Sequence, residues 1–350
     1  MNHLLTRRRL LAAGFSAGAA LLAGCTIRVG PPPDGYGAFD DARSSPDAGT
    51  IHANDGFAFV EADWWDPARE RAVPVRLYLP ASAAAPVPLV LFSHGLGGSR
   101  RGYSYLGSYF ARRGIASLHV QHVGSDRAIW IGRPLQLTAR LQDAAQEQEA
   151  VARVADLRYA LDRMLTLDDG DPMRIATDRS RIVVAGHSYG ANTALLASGA
   201  RVERNGRMVD LRDARIAAAI LLSAPPFYGE TAIESILRPV TAPTLHVTAT
   251  EDEIRIPGYY SSVEDRIAVF EATGSARKVL AVFQGGSHGI FTDRPGAGGA
   301  ELNPRVKRAT QELSAAFLAS VFDGRDDALS EWPGRHREIV ARFYRQPMTG

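Results

Sequence analysis

The chain has 350 residues, 45% hydrophobic and 22% charged, an ordinary globular composition that suits one large α/β domain or two small ones. Its formal net charge of +2 rests on three arginines near the start. Residues 1–24 hold Arg7, Arg8 and Arg9 and no acid, and without them Lys+Arg falls from 40 to 37 against 38 Asp+Glu, a net −1. No basic run stands out elsewhere, so nucleic acid is not an expected partner.

Residues 1–24 read as an export signal and not as part of the fold. Thr6-Arg-Arg-Arg-Leu-Leu11 gives a cationic start with a twin arginine, and Leu10–Ala23 is apolar but short for a membrane span. Leu22-Ala-Gly-Cys25 resembles a bacterial lipobox, in which the cysteine becomes the lipidated first residue. Cys25 is the only cysteine in the chain, so it has no internal disulfide partner. The expectation is an exported protein of the bacterial cell envelope, on the periplasmic side or at the outer membrane, touching membrane only through the lipid on Cys25. Residues 25–52, which include Pro31-Pro-Pro-Asp34, read as a flexible tether. Residues 53–350 read as one domain.

Phe57–Trp65 and Val73–Leu79 read as two strands of a hairpin at a sheet edge. Leu89–Phe92 reads as a fully buried strand that ends in His94-Gly-Leu-Gly-Gly98. A glycine-rich loop at a strand's C-terminal end exposes backbone N–H groups to a ligand. Tyr103–Arg113 has helical spacing, Ile115–Val120 is a buried strand, and 121–143 is polar with apolar islands at Trp130, Ile131, Pro134 and Leu135. That stretch is either a small cap over a pocket or plain surface. Ala144–Leu165 carries Val151, Val154, Ala155, Leu157, Leu161 and Met164 on one helical face. Asp156 and Arg158 read as structural.

Ile182–Ala185, then Gly186-His-Ser-Tyr-Gly190, then an Ala- and Leu-rich helix form the strand, tight turn and helix of a nucleophile elbow. Cβ atoms at 186 and 190 would collide with neighbouring backbone, so glycine is needed there. Residues 200–215 read as a surface excursion. Ile216–Leu222 is a strand ending at Ser223, and Pro243–Ile254 begins as a strand and turns acidic. Ser262–Ala272 reads as a helix and Lys278–Phe283 as the last strand, followed by Gln284-Gly-Gly-Ser-His-Gly289. Helices over Pro304–Phe322 and Asp326–Tyr344 close the chain. The alternation predicts an α/β fold, a doubly wound and mostly parallel sheet. In such sheets ligands bind at the C-terminal strand ends, where His94–Gly98, Ser188, Asp252 and His288 all fall.

A serine hydroxyl needs a base to become a nucleophile, and the base needs a carboxylate to orient it. His288 is the candidate base, in a glycine-rich loop mobile enough to swing an imidazole over the sheet edge. Asp252 is the candidate acid, with Glu251 and Glu253 as rivals in the same turn. His94, His119, His187 and His246 read as packing or pocket residues, and His52, His122 and His336 lack the context. The order Ser188, Asp252, His288 matches a serine nucleophile on this kind of sheet. The backbone N–H groups of Leu96 and Tyr189 are the candidate oxyanion donors.

Taken together, Gly186-His-Ser-Tyr-Gly190, Phe92-Ser-His-Gly-Leu-Gly-Gly98, Asp252 and His288 resemble the α/β-hydrolase superfamily. The chain from about residue 57 to about residue 322 is similar to bacterial serine hydrolases related to platelet-activating-factor acetylhydrolase, loosely called dienelactone-hydrolase-like, and to cutinase-type polyesterases. The resemblance implies hydrolysis of small-molecule carboxylic esters through an acyl-enzyme, with no metal and no organic cofactor. Two departures stand out. Acetylhydrolases of that type carry the triad acid after the strand that here ends at Ser223, and a serine cannot serve, so the acid is expected at Asp252. Dienelactone hydrolases proper use a cysteine where this chain has Ser188. The alternatives are a peptidase or amidase on the same scaffold, and a noncatalytic envelope-binding lipoprotein.

Overall fold

The apolar runs become the central strands of one sheet because they are buried on both faces, the condition under which parallel strands are stable. The computed structural model describes residues 49–83, 85–294, 297 and 299–346, all inside one compact unit, Asp41–Gly350. The expected export signal 1–24, Cys25 and most of the expected tether lie outside the described residues.

In chain order, β1 (His52–Asn54), β2 (Phe57–Asp66) and β3 (Arg71–Pro80) are followed by β4 (Val87–Ser93), α1 (Ser104–Ala111) and β5 (Ala116–Val120). Two 3-10 turns, Arg127–Trp130 and Pro134–Gln136, lead into α2 (Leu137–Asp143) and the long α3 (Glu147–Leu165). The elbow joins β6 (Thr177–His187) to α4 (Tyr189–Ala197). The hairpin β7 (Arg201–Arg204) and β8 (Arg207–Asp210) precedes β9 (Ile216–Leu222), α5 (Ile233–Leu237) and β10 (Thr244–Glu251). A second hairpin, β11 (Ile254–Ile256) and β12 (Tyr259–Ser261), leads to α6 (Val263–Ala272) and β13 (Lys278–Ser287). A 3-10 turn, His288–Phe291, then α7 (Gly299–Asp323), α8 (Asp327–Arg335) and β14 (Val340–Arg345) complete it.

Among the described residues, ten strands form the main sheet in the order β1-β2-β3-β5-β4-β6-β9-β10-β13-β14. The six from β5 to β13 run parallel. Antiparallel pairs close both edges, β1–β2–β3 on one side and β14 on the other. The pleat sends alternate residues to two separate cores. Leu89, Leu91, Ile182 and Val184 meet Val154, Leu157 and Leu161 of α3 and Ala194 of α4. Val90, Phe92, Val183 and Ala185 meet Leu106 of α1 and Val306, Leu313 and Phe317 of α7.

Two expectations are corrected. Lys278–Phe283 does not end the sheet, and the helix expected over Asp326–Tyr344 stops at Arg335. Val340-Ala-Arg-Phe-Tyr-Arg345 instead pairs antiparallel with β13. Its β-branched and aromatic side chains suit a strand, and the open edge of β13 supplies the backbone partners. In α3, Val151 is 36% exposed, whereas Arg153 and Asp156 are fully buried. The buried stripe therefore includes two charged residues that apolar periodicity passes over.

His119 in β5, His187 at the end of β6 and His246 in β10 sit inside the sheet, and burial pushes all three imidazoles down to about 3. A folded value below the unfolded one of about 6.5 contributes stability that is complete above that pH and is lost as pH falls toward 3. The melting temperature should therefore drop steadily below about pH 6.5. His246→Leu, which removes one such group where Phe270 packs edge-on, should flatten that slope in thermal melts. Parallel wild-type and variant curves would contradict the assignment.

Candidate active site

The elbow is shaped by contacts that leave no room for side chains. A Cβ on Gly186 would lie 2.2 Å from the Gly190 carbonyl oxygen, and one on Gly190 would lie 2.0 Å from the Ser93 carbonyl oxygen at the end of β4. With glycine at both positions, α4 starts directly behind the strand end. The Ser188 N–H still donates to Leu222 O (2.9 Å), as if the strand continued, but φ of +55° turns the residue out of the ladder. Such a backbone state is strained for a residue with a Cβ and is characteristic of functional turns. Ser223, one strand over, repeats the device, with its N–H on Val247 O (2.7 Å) and φ of +52°.

Ser188, Ser223, Asp252 and His288 follow successive neighbours in the sheet, β6, β9, β10 and β13. Strands lie about 4.8 Å apart, so the β13 end must curl back over two neighbours to reach Ser188. Gly285 and Gly286, with φ of +70° and +90°, make that bend. It is pinned by Gly285 N–H on Thr250 Oγ1 (2.9 Å) and by the buried Ile290 and Phe291 just beyond. The glycines expected to give mobility instead set a curve that is anchored at both ends.

His288 Nε2 lies 2.8 Å from Ser188 Oγ, and its Nδ1 lies 2.7 Å from Asp252 Oδ1. Of the three acids in that turn only Asp252 is buried. Glu251 is exposed and Glu253 pairs with Arg255. Asp252 Oδ2 accepts hydroxyl bonds from Thr248 (2.7 Å) and Ser223, and Ser223 Oγ is also 2.7 Å from His288 Nδ1. Burial by itself would raise the Asp252 carboxyl. The hydrogen bond and charge of His288, the nearby Arg266 charge and the Ser223 hydroxyl outweigh it and hold the group well below the usual carboxylate range. The acid stays ionised and fully bonded at neutral pH.

The glycine-rich loop lies beside Ser188. A Cβ on Gly95 would come within 3.3 Å of Ser188 Cβ. The backbone N–H groups of Leu96 and Tyr189 have no hydrogen-bond partner among the described residues. The loop is tied down from two sides. Gly95 N–H reaches the Tyr103 hydroxyl (3.3 Å), which is 2.8 Å from His187 Nδ1, while His187 Nε2–H donates to the His288 carbonyl (2.9 Å). Burial first, and then the charge of His288, keeps His187 neutral, so it serves this chain as one donor and one acceptor. From the other side, Trp130 Nε1 donates to Gly97 O (2.8 Å). Leu96 packs with Ile129, Leu141 and Ala144. The stretch 121–143 thus covers the glycine-rich loop, leaving Ile131 and Leu135 exposed at 75% and 98%.

Sequence reasoning missed Arg153. Its guanidinium donates to the His94 carbonyl, Ser93 Oγ (3.0 Å), Ser125 Oγ (2.7 Å) and Thr193 Oγ1 (2.9 Å), and it stacks 4.5 Å over the Tyr189 ring. One buried side chain thereby joins the end of β4, the cap and the first turn of α4. The signal was available: Ala150, Arg153, Val154 and Leu157 fall on one helical stripe, and an arginine in a buried stripe asks for partners. The other miss is Ser223, set aside as unable to replace an acid, which bonds both acid and base.

The sheet and its helices form an α/β fold of the α/β-hydrolase type. Residues 69–209 match the model of the family "Platelet-activating factor acetylhydrolase, isoform II". The chain is 25% identical over 152 residues to a platelet-activating factor acetylhydrolase of Cavia porcellus, a match that covers 35% of this chain and 34% of that protein. For the protein of the same name from Bos taurus the identity is 27% over 137 residues, 31% of each chain. The chain thus spans about a third of the length of these curated relatives. Among solved structures, the ferulic acid esterase of Streptomyces cinnamoneus is similar, with a TM-score of 0.56 and 23% identity over 82% of this chain and 95% of that one. The family match contains the elbow and the glycine-rich loop but stops before Asp252 and His288.

Gly190→Ala should give little or no soluble folded protein, because its Cβ would meet backbone atoms that cannot yield. A wild-type melting curve would contradict the contact. Ser223→Ala removes one hydroxyl donor to an ionised carboxylate. Such bonds contribute about 1.5–3 kcal/mol to stability, so the melting temperature should fall by at least about 3 °C with the circular dichroism spectrum unchanged; an unaltered melting temperature would contradict the bond.

Proposed function

We propose that the protein is a serine hydrolase that cleaves carboxylic esters through an acyl-enzyme on Ser188. One observation carries this reading: a single imidazole, His288, bridges the hydroxyl of a serine with strained backbone at 2.8 Å and a buried ionised carboxylate at 2.7 Å. The relatives' names, acetylhydrolase and esterase, support the transfer of an acyl group to water.

In the proposed cycle the Ser188 hydroxyl attacks the ester carbonyl while His288 Nε2 takes its proton. Asp252 holds Nδ1–H and balances the imidazolium. The Leu96 and Tyr189 N–H groups receive the oxyanion. Loss of one such donor typically costs about 2.7–4 kcal/mol in the barrier. His288 then protonates the leaving alcohol, and a water activated by the same imidazole releases the acid. Every proton transfer has an assigned residue, so the cycle calls for no metal and no organic cofactor. The expected substrate is a small-molecule ester. Export with a lipid on Cys25 would place this activity in the cell envelope.

Ser188→Ala should lower turnover of p-nitrophenyl acetate and butyrate by at least about 10³-fold while the circular dichroism spectrum is kept. Wild-type rates in that variant would sink the assignment, and faster cleavage of aminoacyl anilides than of esters would move it to an amidase. For the anchor, cells fed labelled palmitate should label the wild type and not Cys25→Ser. Equal labelling of both would remove Cys25 from that role.

A further inference from the structure

Arg266 lies beside the acid and has no part in the cycle above. It sits on α6 at 2% exposure, with Nε 3.5 Å from Asp252 Oδ1, the same oxygen that faces His288 Nδ1. Its Nη1 donates to the Ser262 carbonyl at 3.0 Å, but Nε and Nη2 have no hydrogen-bond partner among the described residues. Burying a guanidinium so incompletely bonded is unfavourable unless a buried anion compensates its charge. Asp252 is the acid with which it forms an ion pair. Asp252, in turn, does not need Arg266 for hydrogen bonding, since two hydroxyls and the imidazole already occupy its oxygens. What Arg266 adds is charge.

We propose that Arg266 is a positioning residue for the base, acting through Asp252: by drawing on the carboxylate oxygen that faces Nδ1, it limits how strongly Asp252 stabilises the imidazolium. With Arg266 absent, the site around His288 carries one more uncompensated negative charge, which favours the protonated ring. The groups facing this cluster from other elements are His187 at the end of β6, Tyr228 ahead of α5 and Asp265 on α6 itself. His187 is held neutral by burial, and Tyr228, hydrogen-bonded to Ser261, is pushed up by burial, so neither changes charge between about pH 5 and 9. Asp265 is engaged with the Ser262 N–H at 2.7 Å.

The kinetic part of this inference rests on the ester-hydrolase reading, and the stability part does not. In Arg266→Met, which removes the charge at similar length, the acid limb of kcat/KM for a p-nitrophenyl ester should move to higher pH by about half to one unit. Arg266→Lys should keep the wild-type limb. A purely structural role would lower kcat without moving the limb, and that result overturns the proposal. In thermal melts Asp252→Asn strands the buried cation, so Asp252→Asn/Arg266→Met should melt at least about 5 °C above Asp252→Asn alone. If Arg266→Met does not fold, the double variant should, because it carries neither charge, and its failure to fold also overturns the proposal. Should Ser188→Ala retain wild-type activity, the hydrolase reading falls, and the melting comparison still decides the role of Arg266.

Discussion

The approach of the elbow to the end of β4 is the contact on which the site depends. Gly190 is set against the Ser93 carbonyl with no space for a methyl group. That closeness brings Ser188 beside Gly95 and starts α4 directly after it. A wider elbow would move Ser188 away from the glycine-rich loop. The sheet register supplies the rest: β6 and β9 end side by side, β10 and β13 run further, and β13 bends back, so each is followed by one polar residue at the same edge.

Among the described residues, two hydroxyl–imidazole–carboxylate arrays have similar geometry and different surroundings. Ser93 Oγ lies 2.9 Å from His122 Nε2, and His122 Nδ1 lies 3.0 Å from Asp156 Oδ2. These distances are close to those of Ser188, His288 and Asp252. Yet Ser93, His122 and Asp156 are fully buried, and Ser93 Oγ also accepts from Arg153. Burial, together with the charges of Arg153, Arg71 and Arg69, holds His122 neutral. Asp156 is bound by Arg69 (2.8 Å) and Arg71 (2.9 Å). That array is a strut between β4, α3 and the edge strands. The Ser188 array differs because its hydroxyl lies on a strained turn and its imidazole stays 22% exposed. Reactivity depends on access and on a hydroxyl with no competing donor.

Polar residues behind the site hold it in place from several directions. The neutral His187 connects Tyr103 to the backbone of His288, so the glycine-rich loop and the base are linked through one ring. Arg153 links the same loop to α4 and the cap. Such fully bonded buried groups define one arrangement of the site, because any displacement leaves an unpaired donor in an apolar setting. Arg266 differs from these, with two guanidinium groups unbonded among the described residues and its charge set against Asp252.

Much of this was legible in the sequence, for a physical reason: local rules act on local patterns. Continuous apolar runs marked buried parallel strands, the Gly-x-Ser-x-Gly turn marked a place where only glycine fits, and polar residues after strands marked the ligand edge. The sequence could not choose among Glu251, Asp252 and Glu253, since the choice depends on which carboxylate the β13 bend meets, a contact 36 residues away in the chain. Nor did it show that Val340–Arg345 would abandon a helix for the open edge of β13, because the partner strand supplies those hydrogen bonds. By itself, the sequence determined the layered fold and the nucleophile's turn, which depend on residue type and spacing. Only the tertiary structure decided which of the three neighbouring acids meets His288 and which arginines stand behind that pair, because burial and charge compensation exist only once distant segments meet.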